Sequence, residues 1–526
     1  MKKKINFSKV VMLFSIPLLA FILWYIFLPA INLHSFGFWI YIIITLVYAL
    51  FLLSIFNKKY YQFFILPATL FLLLLLLRMF SATMFHSTKY ANLIIKENGS
   101  FEEDIKEVSF EQVPTVDRDT AQRLGSRKMG EMLDLVSQYN VSDSYTQINY
   151  EDKPVRVTPL EYNGFLKWIG NKNEGIPNYI IVNMIDGKVE LKKLDNNIKY
   201  SKSDKFSRDI YRHLRQKYPK DMFFEVNFEI DEEGTPYWIA PVYQNTIGFF
   251  GGLDVKEVIL TNATNGETTK YKIQDVPKWV DRIYDADEII QQLNWNGKFQ
   301  LGFLNSLFAQ KGVLQTTEGY NYLAIDDDVY LYTGMTSIGT DESNVGFVLV
   351  NLRTKETTFY KMSSAEEFSA MESAEGAVQE KGYKSTFPIL LNIDSKPTYF
   401  MSLKDEAGLV KMYALVDAQN YQQVSVATTV NNVVSAHMGK DITNDSFEKN
   451  IEPTEFFNTK GKITSIQSVV INGNTHYYFI VDTHNDIFIA NIGISAQLPF
   501  LKVNDEISIE YYKKDHLNQV TNIKLK

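Results

Sequence analysis

Tyr60-Tyr-Gln-Phe-Phe-Ile-Leu-Pro-Ala-Thr-Leu-Phe-Leu-Leu-Leu-Leu-Leu-Leu-Arg-Met-Phe80 carries a single charge, Arg78, close to its end. Two further apolar runs precede it, Val10 to Leu28 and Phe36 to Phe56. Each is close to the roughly 20 residues that an α-helix needs to cross about 30 Å of hydrocarbon. Unpaired backbone groups are costly in lipid, so runs of this kind are expected as helices. Pro17 and Pro67 lie inside two of them, where neighbouring helices or water can satisfy the freed carbonyls. Lys2, Lys3, Lys4 and Lys9 flank the first run, and Lys58 and Lys59 lie between the second and third. The loop Pro29 to Ser35 has no Lys or Arg. The rule that positive loops stay in the cytoplasm then places the N-terminus and the lysine turn inside. The third run exits outward, with Arg78 snorkelling to the outer interface. The expectation is a cell membrane protein, multi-pass, with residues 82–526 extracytoplasmic.

A cleaved signal peptide would have a shorter apolar core and a small-residue cleavage site. The first run is longer and ends in Trp24-Tyr-Ile-Phe-Leu-Pro29, which favours a retained span. The runs lack the intramembrane carboxylates, His and Lys that mark ion or substrate paths, so an anchor is favoured over a transporter.

Seven of the 53 Lys and Arg lie at or before Arg78, but none of the 61 Asp and Glu do, so the remainder carries a formal charge of −15. That sign disfavours nucleic acid as a partner. The chain has no cysteine, which excludes disulfides and thiolate metal sites. A large exported part without cysteine suggests a Gram-positive cell envelope.

Past the anchor, a helix is expected to continue through Ala82 to Lys96 and to break at Asn98-Gly99. A second helix is expected at Asp119 to Gln138, with Leu124, Met132, Leu133 and Val136 on its apolar side. From about residue 145 the pattern turns to strands. Val255 to Ile273 reads as a β-hairpin with a two-residue turn at Asn265-Gly266, followed by a helix near Pro277 to Leu293. Val345 to Met362 follows the same plan, with a helix opened by a capping-box pair, Ser363 and Glu366. Leu409 to Ala427 and Asn178 to Leu194 are fainter copies, the latter followed by a helix at Ser203 to Lys217. Asn183, Asn262, Asn351 and Asp417 hold corresponding places. Aromatic strands precede the later hairpins at Thr235 to Tyr243, Val329 to Gly334 and Pro397 to Leu403. A sheet with helices on one face would bury such units, and stacking is expected.

The pattern apolar strand, Asn or Asp, Thr-x-Gly-Glu turn, Tyr-x-Ile strand and helix resembles PepSY-type domains; Val258 to Ile273 carries it best. The wider stretch, with Pro236-Tyr-Trp-Ile, Thr246-Ile-Gly-Phe-Phe-Gly-Gly and Gly319-Tyr-Asn-Tyr-Leu-Ala-Ile, is similar to an uncharacterised family of Gram-positive membrane-anchored proteins, sometimes labelled CvpA-like. The resemblance brings no catalytic residues. PepSY-type domains are linked to restraining peptidases and to sensing at the envelope, which implies an interaction role.

The last 75 residues differ, with five expected strands at Gly461 to Ile466, His476 to Val481, Asp486 to Ala490, Glu506 to Tyr511 and Val520 to Leu525. Five strands of this length suggest a small OB-like barrel. The expected organisation is a three-helix transmembrane anchor over 1–81, a helical stalk or connector over 82–144, α+β domains of repeated strand-hairpin-helix units over 145–437, and an OB-like barrel over 455–526.

Gly248-Phe-Phe-Gly-Gly252 continues into Leu-Asp rather than Gly-Lys-Ser/Thr, so it reads as a turn and not a phosphate loop. Its Phe249 and Phe250 are candidate contacts to membrane or partner. Asp231 to Glu233 and Asp326 to Asp328 lack calcium-loop spacing and read as solvated turns. His476, Asp482, His484 and Asp486 could converge on a hairpin, and accident explains that spacing equally well. His213 reads as part of a solvated basic face beside Arg212 and Arg215. No nucleophile elbow and no carboxylate pair stands out, so no catalytic, cofactor or metal residue is assigned. The function expected is a non-enzymatic envelope protein that binds, scaffolds or senses a protein partner outside the membrane. The alternatives are an envelope hydrolase acting on cell-wall material or peptides, and an accessory subunit of a membrane assembly. Oligomeric state is left open.

Overall fold

The computed structural model describes residues 7–106, 113–338, 343–439, 457–471, 474–491, 494–495, 497–514 and 517–525. The chain divides into two compact units, Met1–Met438 and Gly439–Lys526.

The first unit opens with apolar helices α1 (Phe7–Phe27), α2 (Phe36–Phe56) and α3 (Ile65–Phe80), the last preceded by a 3-10 turn, Lys58–Phe64. Two stretches, Phe36–Ile55 and Lys58–Phe80, are long and apolar enough to cross a membrane. Large side chains on them stay uncovered by protein, among them Phe51, Ile55, Leu72 and Leu73. α1 lies against α2, with Tyr48 Oη bonded to Ser15 Oγ at 3.0 Å and Tyr41 Oη to the Ala20 carbonyl at 3.3 Å. The third helix does not continue to Lys96. It stops at Ser81, whose N–H closes on Leu77 and Arg78, and a separate helix α4 (Thr83–Ala91) follows, kinked at His86.

Beyond the anchor the described residues form four sheets, each following a helix in the sequence. The Arg118–Gly130 helix precedes the first sheet, centred on Lys153–Tyr162 and Ile176–Asn183. The Ile210–Lys217 helix precedes the second, the antiparallel meander Asn227–Ile230, Pro236–Ile247, Gly251–Asn262 and Thr268–Lys272. The Ala286–Phe299 helix precedes the third, centred on Asp328–Ser337 and Ser343–Asn351. The Glu367–Gly376 helix precedes the fourth, centred on Lys396–Lys404 and Val410–Asp417, and Val430–His437 closes the series.

Strand alternation decides how the sheets stack. On one strand of the second sheet, Trp238, Ala240 and Val242 enter a core shared with the first sheet, while Ile239 enters another. That second core holds Ile289 and Leu293 of the Ala286–Phe299 helix and Val348 and Val350 of the third sheet. Phe347 and Leu349 point the other way, into a third core with Ala370, Tyr399, Leu415 and Val433. The second and third sheets are therefore covered on both faces.

Several boundaries differ from the sequence reading. The loop after Asn262 is not a two-residue turn. Asn262 N–H bonds Glu267 O and Gly266 N–H bonds Asn262 O, so four residues bridge the strands. The Asn262 Oδ1 accepts from Thr264 N at 2.9 Å, Thr264 Oγ1 at 2.7 Å and Asn265 N. This side-chain bond supplies the turn that Asn-Gly alone would have made with two residues. Asn183, Asn351 and Asp417 cap their loops in the same way, to Ile185 and Asp186, Arg353 and Thr354, and Gln419 and Asn420. The helix expected at Pro277 begins only at Ala286, capped by Asp285, and the one expected at Ser203 begins at Ile210, capped by Asp209. Ser363 is not in a capping box. It lies in the strand Thr357–Ala365, and Glu366 precedes its helix without a side-chain cap.

The described residues of 82–144, expected as a stalk or connector, are built into the body. Glu97–Gly99 pairs in parallel with Thr357–Ala365, Val113 sits in the third core and Ala121 and Met129 in the first. The helix expected through Gln138 ends at Gly130, and Leu133 and Val136 lie in a separate four-residue turn.

The second unit is a closed five-stranded barrel: Phe457–Ile471, Asn474–Val481, His484–Asn491, Leu517–Leu525, Glu506–Lys514, and back to the first. All pairings are antiparallel except that of the third strand with the Leu517–Leu525 strand. Ile463, Phe479, Phe488, Ile507 and Ile509 fill it.

The loop caps yield a prediction. Asn262→Ala leaves two N–H groups without their acceptor and should cost about 1 kcal/mol. Urea unfolding would register this as a lower midpoint with unchanged slope, and an unchanged midpoint would contradict it.

Candidate functional site

Phe249 and Phe250 occupy the turn between the two long strands of the second sheet and are half-buried against the anchor. Their N–H groups donate to Ser81 Oγ at 2.9 and 3.1 Å. The Phe249 ring lies 4.6 Å from the His34 ring and Phe250 meets Phe36 edge-on. A Cβ on Gly248, at φ +62°, would stand 2.5 Å from Ser81 Oγ, and one on Gly251 2.2 Å from Tyr90 Oη. The glycines thus serve a close approach to the anchor. The loop after α1 is tied to the same body: Ile31 N–H donates to Pro219 O at 2.7 Å, Asn32 Nδ2 to Lys220 O at 3.0 Å, and Arg215 Nε to Leu28 O at 2.9 Å.

The basic face assigned to His213 is not solvated. His213 and Arg215 are buried, with His213 Nε2 2.8 Å from Gly266 O and its ring on Tyr200. The helix uses them to hold the hairpin loop and the anchor loop. Asp328 is bonded by Arg353, and Asp231 caps its own turn through Glu233 and Thr235 N–H. Asp482 accepts from Lys462 N–H at 2.8 Å. Among the described residues no three His, Asp or Glu side chains converge as a metal ion would need.

The site that the sequence left unmarked is a cleft of about 510 Å³ where the first three sheets and the Thr386-Phe387 segment meet. Such a volume is in the range of small-molecule sites. Its floor holds two buried arginines, Arg156 (5 % exposed) and Arg282 (9 % exposed). Arg156 Nη2 donates to Gln147 Oε1, its cross-strand neighbour, at 3.1 Å. Arg282 Nη2 donates to Tyr322 Oη at 3.0 Å, and its guanidinium lies 4.2 Å over that ring. The Nε atoms of both make no hydrogen bond, and neither guanidinium is in a salt bridge among the described residues. Burial pushes Arg156 down to about 10, although Tyr322 opposes it, and the adjacent Arg282 charge adds to the drop.

Two helices begin at the cleft, Arg118–Gly130 and Ala286–Phe299, capped by Asp117 and Asp285 at 3.0 and 2.9 Å. Their positive ends add to the field of the floor. Lys404 binds the Asp117 carboxylate, which with the Thr120 N–H outweighs burial and holds its proton affinity below the usual range. The rim carries three exposed carboxylates, Asp119, Glu225 and Asp287, in no salt bridge among the described residues, and one exposed cation, Arg118, whose Nη2 donates to the Asp143 carbonyl. Tyr320 and Phe387 form apolar walls.

Below the floor, Glu229 is fully buried and accepts the N–H of Asp281 at 2.9 Å and of Arg282 at 3.0 Å, fixing the segment that carries Arg282. Burial pushes Glu229 up to about 7 despite those bonds, and raises Asp281 as well. The signal for this site in the sequence was Arg156 between Val155 and Val157, a charge inside an apolar strand.

No protein-family model and no curated protein sequence matches the chain.

Glu229 gives the fold a pH dependence. Its folded proton affinity lies above the ordinary 4.5, so the native state binds the extra proton. Its own contribution to stability is then greatest below about 4.5 and falls as pH rises towards 7. His213 and His437, both lowered by burial, act in the opposite sense, so the readout is the difference between wild type and Glu229→Gln. The denaturant midpoint of wild type relative to that variant should fall across the window, and a difference that stays constant or rises would contradict the assignment.

Proposed function

We propose that the protein is a non-enzymatic component of a Gram-positive cell envelope, held by three spans, that binds, scaffolds or senses a partner at the extracytoplasmic face. One observation carries the orientation. The loop after α1 and the end of α3 are both hydrogen-bonded to the globular body, whereas Lys58 and Lys59 lie at the far end of α2. The body therefore stands at the opposite end of the helices from the lysines, and lysine-rich loops remain in the cytoplasm. α1, packed along α2, is the third span in this reading.

The finer architecture belongs to the same proposal. It includes repeats of one PepSY-like unit and a CvpA-like envelope family, both resting on the sequence resemblance; the hairpin loops are capped alike at Asn183, Asn262, Asn351 and Asp417. The barrel's strand order, with its single parallel pairing, supports an OB-like fold. Phe249 and Phe250 act at the junction with the membrane, where they seat the body on its anchor.

The cleft gathers carboxylates and aromatics, as a hydrolase would. A general acid needs a carboxyl that keeps its proton. Burial raises Asp204, Asp209, Glu229, Asp231, Asp281 and Glu288, and none of these lines the cleft. Binding is the better reading.

The absence of cysteine makes the orientation directly measurable. An impermeant maleimide should label Glu232→Cys on intact cells and Lys59→Cys only after permeabilisation. The reverse pattern would overturn the topology. For the partner, a detergent-solubilised pull-down from the host should recover a second envelope protein; recovery of bait alone argues against the scaffold role.

A further inference from the structure

We propose that the cleft floored by Arg156 and Arg282 binds a small zwitterion, an amino acid or short peptide whose carboxylate meets the two guanidiniums and whose ammonium meets the acidic rim. This deepens the binding role above and rests on it.

A guanidinium taken out of water without an ion pair is costly; neither arginine has one within bonding distance, although Glu229 and Asp285 lie near enough to help hold Arg282 charged against its burial. Here the Nε of each is buried and unbonded, so neither fork has its hydrogen bonds complete. Gln147 and the Tyr322 hydroxyl and ring occupy other parts of the two forks, so the floor is held in place before any ligand arrives. Planar donors of this kind match a carboxylate. Two helix N-termini at the same cleft favour the same charge.

The rim argues against a polyanion. Asp119, Glu225 and Asp287 would repel a second negative charge at the mouth, and they suit an ammonium group. Asp117 is already paired with Lys404, so Arg156 and Arg282 outnumber the one remaining carboxylate beside them, Asp285, while at the mouth three carboxylates outnumber Arg118. A ligand with both charges satisfies both ends. Tyr320 and Phe387 between them offer apolar surface to a side chain.

The test uses the full chain in detergent and isothermal titration. The probes are L-phenylalanine and L-alanyl-L-alanine, their N-acetyl and C-amide derivatives, and inorganic phosphate. At least one free zwitterion should bind. Phenylalanine alone would identify the free amino acid as the source, and the dipeptide alone a peptide. The acetylated and amidated forms should each bind at least about tenfold more weakly, the loss expected of one charged hydrogen-bonding partner. Arg156→Lys keeps the charge but loses the fork and should weaken binding to a similar degree. Should that buried variant fail to fold, Asp119→Asn/Asp287→Asn on the exposed rim decides the question. It should fold normally and weaken the zwitterion severalfold.

Equal binding of the acetylated form, unchanged affinity in the rim variant, or phosphate binding in preference to both zwitterions would overturn the proposal. So would no heat from any probe. In that last case maleimide labelling still reports the orientation independently, so loss of the ligand assignment is separable from loss of the envelope reading.

Discussion

Trp238 and Ile239 are neighbours on one strand, face opposite sides of their sheet, and are both closed to water. The same holds for Phe347 and Val348 in the next sheet. A sheet that is apolar on both faces cannot be left open on either side, since each uncovered large side chain forgoes about 1.5–3 kcal/mol of burial. Each of these sheets must be covered twice, by a helix and a further sheet. This constraint ties four sheets into one unit and makes them mutually dependent. It also creates the cleft, since a space lined by residues from all four segments exists only once the stack has closed.

The N-terminal apolar helices are coupled to this stack by hydrogen bonds. Ser81 ends α3 and uses its hydroxyl to accept two backbone N–H groups from the Gly248 turn. Arg215, held by the carbonyls of Leu28 and Asp221, closes the other loop. The helix ends remote from Lys58 and Lys59 are thus the ones held by the body.

The repeating features were legible in part. Asn183, Asn262, Asn351 and Asp417 could be aligned in the sequence because each does the same local work, accepting N–H groups two and three residues ahead. Helix starts were less legible. The segment 277–285 is made mostly of poor helix formers, Pro277, Trp279, Val280, Asp281, Ile283, Tyr284 and Asp285, and it stays extended enough for Asp281 and Arg282 to offer their N–H groups to Glu229. Local propensity and the buried carboxylate therefore agree in delaying the helix to Ala286. His213 looked solvated because Arg212 and Arg215 flank it, yet the loop carbonyls that His213 and Arg215 serve come from 53 and 187 residues away.

The sequence by itself determined the apolar helices, the lysines at their turn, the absence of cysteine, the acid excess of the remainder and the alternation of its strands. These follow from composition and short-range period, which need no knowledge of neighbours. Only the tertiary structure decided that Phe249 and Phe250 meet the N-terminal helices, that the described residues of 82–144 pack into the body, and that Arg156 and Arg282 share a floor. Those two arginines lie on strands and loops more than a hundred residues apart. Nothing in the local pattern of either announces the other, because long-range packing brings them together and burial alone makes their unpaired donors matter.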